Sequence, residues 1–240
     1  MEDLHKFRLR RGVVEVESFP TAFERRFDEQ CGSWSEADAA HLHYARAHWH
    51  HEQGQDSLAS SYIIRAHDFA ITAGEMVLQL DCGRMTAILQ YTAYLRVLEK
   101  NRADLVKRHD IDGEVAALIE TVVHKARTCG DVATYVFALL AQASITVSRL
   151  FLMLAEYPLV NDPDAIFEFL ALLTADLFEA LDSEDGRALA ESPVFMEFAR
   201  PQLESLERAL RIKGGEGILA MIEARIKRMS PRADCVIKIP

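Results

Sequence analysis

The stretch from Asp131 to Tyr157, DVATYVFALLAQASITVSRLFLMLAEY, constrains this chain more than any other. It carries no charge between Asp131 and Arg149, and Ala, Leu, Val and Phe fall on every side of a helical wheel. A helix that is apolar nearly all round must be buried in a large core or span a membrane. Thr134, Gln142, Ser144, Thr146 and Ser148 make it too polar for a good span. The uncharged run is also slightly short for one. The sequence therefore predicts the central helix of a soluble helical domain.

The rest of the chain fits around such a helix. Half of the 240 residues are hydrophobic, enough to build a core without staples. The formal net charge of -10 argues against nucleic acid as a partner, since phosphate binding needs a basic surface. The charge is uneven: Glu156 to Glu191 is rich in Asp and Glu, and Arg208 to Lys238 is net basic. Such runs are solvated faces, or they meet head to tail within or between chains. Cys31, Cys82, Cys129 and Cys235 include no C-x-x-C pair. The opening MEDLHKFRLRRGVVEVE lacks an apolar signal core. A reduced, cytoplasmic setting without a membrane partner is the expectation.

Two pieces have strand character: Arg11 to Ser18 (RGVVEVES) and Asp234 to Pro240 (DCVIKIP). They are expected to pair with each other or with copies in a homodimer, or to remain as loose tails. Between them the periodicity is helical. A short helix is predicted over Pro20–Gln30. Ser33 with Glu36 has capping-box spacing, and Ser35 is an alternative cap. The helix that follows stops at Gly54. A second, capped by Asp56 or Ser57, ends at Asp81-Cys82-Gly83. A third runs from Arg84 to His109, Asp110–Gly113 is a turn, and Glu114–Cys129 forms a fourth before Gly130. Asp162-Pro163 opens a helix whose inner face is Ile166, Phe169, Leu170, Leu173, Leu177 and Leu181. Ser183–Gly186 breaks it, Pro193 and Pro201 open two short helices, and Glu216–Met229 is the last. The predicted fold is all-α, an antiparallel helical bundle or a degenerate helical repeat. It forms a single domain over 1–240: an extension (1–33), a helical body (34–229) and a terminal strand (230–240).

Within ARAHWHHEQGQDSLASSYIIRAHDFA, Ala47, Gly54, Ala59 and Ala66 stand at positions where small residues let two antiparallel helices approach closely. Over about one repeat, roughly residues 36–70, this hairpin resembles a tetratricopeptide repeat. One repeat length downstream, Ile88 stands where the turn glycine belongs, and a true array needs about three repeats. The resemblance implies a binding scaffold with a concave groove for a peptide or partner protein.

Five of the nine histidines, His41, His43, His48, His50 and His51, lie in the first helix of this hairpin. His41 shares a helical face with His48, and His43 with His50. His48 and Glu52 stand one turn apart, a spacing that can hold a transition-metal ion. With His51, and with His67 and Asp68 across the hairpin, they make a candidate metal site. His124 with Glu120 is a further one-turn pair. The pairs His67-Asp68 and His109-Asp110 resemble those of the metal-dependent phosphohydrolases named for a His-Asp pair. The only Glu-x-x-His is Glu2 to His5, outside the helical body, which counts against a carboxylate-bridged di-metal bundle. Partly buried or pH-sensitive histidines on an amphipathic helix are the simpler alternatives.

On the central helix Tyr135, Gln142, Arg149 and Glu156 recur every seven residues, beside Thr146. Such a seam lines a pocket in which Arg149 holds an acidic ligand, or it is the least buried edge, with Arg149 paired to a carboxylate such as Glu156. No P-loop, dinucleotide turn, nucleophile elbow, zinc-protease helix or kinase signature occurs. The sequence therefore favours a binding scaffold, its partner another protein or a peptide and its contacts Trp49, His50 and Tyr62. Its rivals are a helical metal-dependent enzyme or sensor using one transition-metal ion, and a small acidic-ligand pocket at Tyr135, Gln142 and Arg149.

Overall fold

A computed structural model describes residues 34–100, 108–156 and 163–212. Every regular element among them is helical: α1 (Glu36–Glu52), α2 (Asp56–Ala73), α3 (Met76–Lys100), α4 (Arg108–Cys129), α5 (Val132–Glu156), α6 (Pro163–Asp182), α7 (Glu184–Ala190) and α8 (Pro193–Ile212). The all-α expectation holds. Both predicted terminal strands, the Pro20–Gln30 helix and the Glu216–Met229 helix lie outside the described residues. The chain divides into two compact units, Met1–Gln142 and Ala143–Pro240, with the division inside α5.

In the first unit α1 packs on α2, α2 on α3 and α3 on α4, with a lighter contact between α1 and α3. Ser35 caps α1 by accepting the Asp38 amide at 3.1 Å. Gly54 turns the chain into α2 with a positive φ of 70°, a conformation that only glycine adopts without penalty. Ala40, Ala47, Ala59, Ala66 and Ala70 are fully buried beside Tyr44, Ile63, Leu78, Cys82, Met85 and Leu89. These small side chains bring the α1 and α2 backbones close together.

Several predicted boundaries move. The second helix ends at Gly74 (φ 72°), and Asp81-Cys82-Gly83 lies inside α3 instead of stopping a helix. Gly83 serves packing: a Cβ there would stand 2.9 Å from Val122 Cγ2 of α4. Asp81 is buried and pairs with Arg84 one turn on, Nε to carboxylate 3.7 Å. Arg84 donates from Nη2 to the Tyr44 hydroxyl at 2.9 Å, and its guanidinium stands 5.5 Å from the Phe137 ring centre. Burial opposes the charge of Arg84, yet Tyr44 and Asp81 outweigh it and hold the pKa above its ordinary value. Asp110–Gly113, predicted as a turn, belongs to α4. Asp56 does not cap α2. The N-cap position is Gln55, which makes no side-chain cap bond.

α5 behaves as its composition demands. Buried positions in its first half include Val136, Ala138, Leu139 and Leu140, and in its second half Ile145, Val147 and Leu150. By length and apolarity alone Val132–Phe151 could cross a membrane, but 67% of it is buried inside the protein.

In the second unit α6, α7 and α8 pack against one another. Leu170, Leu173, Leu177 and Leu181 face inward as predicted, and Phe167 and Phe178 join them. Phe169 does not: it is 37% exposed, turned out beside Leu172. α6 stops at Asp182, and Ser183 caps α7 by accepting the Gly186 amide. Pro201 starts no new helix. α8 runs through it, held by an apolar face, Phe195, Ala199, Leu203, Leu206 and Leu210, that continues across the proline.

At Gly186 a Cβ would meet the Ala180 carbonyl oxygen at 2.0 Å and Leu181 Cα at 2.8 Å, both backbone atoms that cannot step aside. Gly186→Ala should therefore destabilise the protein by about 1–3 kcal/mol in urea unfolding, although alanine is the better helix former. A stabilised variant would refute that close approach. Arg84→Met should cost about 3–5 kcal/mol by removing the buried cation beside Asp81. Adding Asp81→Asn should recover part of that loss, and strictly additive losses would show that the two charges are uncoupled.

Candidate functional site

The α1–α2 hairpin assembles one continuous aromatic surface. His43 and His50 lie seven residues apart on α1, and Tyr62 and Phe69 seven apart on α2. Seven residues span about 10.5 Å of helix, room for one ring from the opposite helix to enter. The rings interleave in the order His50, Tyr62, His43, Phe69. His50 lies on Tyr62 at 5.1 Å between centres and 5° between planes. His43 lies 5.7 Å from Tyr62 and 5.5 Å from Phe69. Trp49 closes one end, edge-on to His50 at 4.8 Å.

This surface is cationic. The guanidinium carbons of Arg46 and Arg65 stand 5.5 Å and 6.0 Å from the Tyr62 ring centre, within cation–π reach. Burial, reinforced by the charges of Arg46 and Arg65, pushes the His43 pKa below its ordinary value. Its Nδ1 is buried and makes no hydrogen bond among the described residues. His50 Nδ1 meets Gln55 Oε1 at 2.7 Å. Next to it His51 Nδ1 lies 2.9 Å from Asp56 Oδ1, and Arg96 of α3 pairs with Asp56 Oδ2 at 2.5 Å. The residue expected to cap α2 instead ties the hairpin turn to the third helix.

Of Trp49, His50 and Tyr62, singled out from the sequence, His50 touches both of the others. The candidate metal ligands are not gathered. His48 is buried edge-on to Tyr44, His51 is engaged by Asp56, and Glu52 and Asp68 are exposed while His67 is half-buried. Among the described residues no group of three or more His, Cys, Asp or Glu side chains is placed to hold a metal ion. Along α5, Gln142 and Thr146 are buried, whereas Tyr135 and Arg149 are half-buried. The side chains of Glu156 and His109, and Glu2–His5, lie outside what is described. The sequence reading missed His43, Phe69, Arg46 and Arg65 as parts of one surface. The matching seven-residue intervals on the two helices were the available signal.

Comparison with family models, with curated proteins and with solved structures finds no match.

His43 generates a pH test. A histidine whose pKa is lower in the folded protein takes up its proton more readily when unfolded. Its contribution is fully present above about pH 6.5 and falls as the pH drops through and below that value. The urea midpoint should decrease between pH 7.5 and pH 5, and His43→Phe, which keeps a ring in the stack, should flatten part of that slope. An identical slope in the variant would remove His43 as a contributor.

Proposed function

We propose that this chain is a helical scaffold that binds another protein or a peptide, with contacts on the hairpin face that carries Trp49, His50 and Tyr62. The observation that supports this reading is the contiguous stack itself. Its members are half-buried, so each keeps an edge in solvent. Trp, Tyr and Arg are the residue types that dominate interface energetics, and Trp49, Tyr62, Arg46 and Arg65 sit together here. Rings already held by their neighbours lose little rotamer freedom on binding, which lowers the cost of association.

The tetratricopeptide-like character of the hairpin adds to the reading. Ala47, Ala59 and Ala66 have no exposed surface, and Gly54 makes the left-handed turn between the helices. Sequential packing of α1, α2, α3 and α4 is the arrangement a degenerate helical repeat would have. The proposed setting is cytoplasmic, without nucleic acid or membrane as partner, and a homodimer through the terminal segments is compatible with it. We place no resident metal in this function.

The test is capture of binding proteins by the full chain, then affinity measurement for the purified interactor. Trp49→Ala, verified as folded by circular dichroism, should weaken that affinity at least tenfold, about 1.4 kcal/mol. An unchanged affinity with Trp49→Ala and with Tyr62→Leu would sink the assignment of this face.

A further inference from the structure

A second surface, in the other unit and of opposite chemistry, lies on the outward side of α6. That helix contains Asp164, Glu168, Asp176, Glu179 and Asp182 and no lysine or arginine. Ala165, Phe169, Leu172, Asp176 and Glu179 follow one another at intervals of three and four residues, so they share one helical face, with Glu168 and Ala175 at its edge. Leu172 is 69% exposed and Phe169 37%, while the leucines of the opposite face are buried. Glu168, Asp176 and Glu179 make no ion pair among the described residues. A solvent-facing helix is ordinarily laced with cation–carboxylate pairs at one-turn spacing. Among the described residues the like charges stand uncompensated around two exposed apolar side chains.

We infer that this face of α6 is a docking surface for a basic amphipathic helix of a partner protein. The charges select among occupants. Nucleic acid and anionic lipid carry the same sign as the face. A second copy docking by the same face would set one carboxylate-rich helix against another. A purely apolar partner would bury carboxylates without a counter-charge, which costs several kcal/mol per ion. A helix with apolar residues on one side and Lys or Arg flanking them meets both needs, its apolar side on Phe169 and Leu172 and its cations on Glu168, Asp176 and Glu179. A cation over the Phe169 ring adds a further contact. The stripe from Ala165 to Glu179 is roughly 20 Å long, matched by about four turns of a partner helix. Helix-on-helix docking of this kind is a recurrent recognition mode.

The experiment titrates the full chain with a fluorescently labelled synthetic Leu–Lys amphipathic helical peptide and with its Leu–Glu counterpart, read by anisotropy. The Leu–Lys peptide should bind and the Leu–Glu peptide should not. Phe169→Ser/Leu172→Ser, which leaves the net charge untouched at exposed positions, should weaken binding at least tenfold. Glu168→Gln/Asp176→Asn/Glu179→Gln should weaken it and reduce its salt dependence. Equal affinity in the double serine variant would mean bulk attraction to an acidic chain and would overturn the inference, as would absence of binding. Concentration-dependent self-association that is lost in the serine variant would assign the face to a second copy and overturn it too. Trp49→Ala should leave this binding unchanged, so failure here and failure of the hairpin reading are separable.

Discussion

A guanidinium buried in an apolar core is the constraint on which the first unit depends. Arg84 is 5% exposed and Asp81 1%. Neither charge is tolerable alone at that depth, because desolvation of an unpaired ion costs several kcal/mol. The Tyr44 hydroxyl takes one of the arginine's donors from α1, Asp81 supplies the counter-charge within α3, and the Phe137 ring of α5 offers its face. Three helices must therefore stand in one arrangement for the cation to be satisfied. Replacing such a pair by apolar residues is often neutral or better for stability. What the pair adds is a fixed register among helices whose other buried side chains, many of them alanine and leucine, are permissive.

The hairpin applies the same logic at its surface. Alanines at the α1–α2 interface gain little from their own burial, roughly 25 cal/mol per Å² of apolar area, but they allow a close approach. Close approach in turn makes interleaving possible on the flank, because rings from both helices reach the same line. Histidine is an unusual choice for a half-buried stack flanked by two arginines. His43 gives up protonation under burial and under Arg46 and Arg65, whereas phenylalanine would carry no such liability. The arginines beside Tyr62 raise the cost further, and they also make the surface cationic on a chain whose net charge is -10.

Much of the helical order was legible in the sequence, and the exceptions share a cause. Gly54 and Gly130 mark true stops, since both adopt a positive φ that other residues avoid. Asp81-Cys82-Gly83 has the same turn-like composition, yet it lies in a helix because tertiary partners reverse each local preference. Arg84 neutralises Asp81, Val122 packs where a Gly83 side chain would stand, and Cys82 is fully buried. Pro201 deceived in the same way, overridden by the apolar face of α8. The shared face of His43 and His50 could be read from one helix. That Tyr62 and Phe69 fill the gaps between them could not, because it depends on the register of the hairpin. Trp49, His50 and Tyr62 were found as residue types suited to contacts, and their mutual contact came only with the fold.

α5 links these local arguments to the organisation of the chain. A helix apolar on all sides has no face to give to water, so neighbours must cover it along its length. The division between the two compact units falls within it, and both halves hold buried side chains, Val136 and Leu139 on one side of the division and Ile145 and Leu150 on the other. Helix formation is cooperative, its nucleation costly and its propagation cheap. Order in one half of α5 therefore favours order in the other. The one uncharged run that the sequence could not expose to solvent is thus held as a single helix across that division.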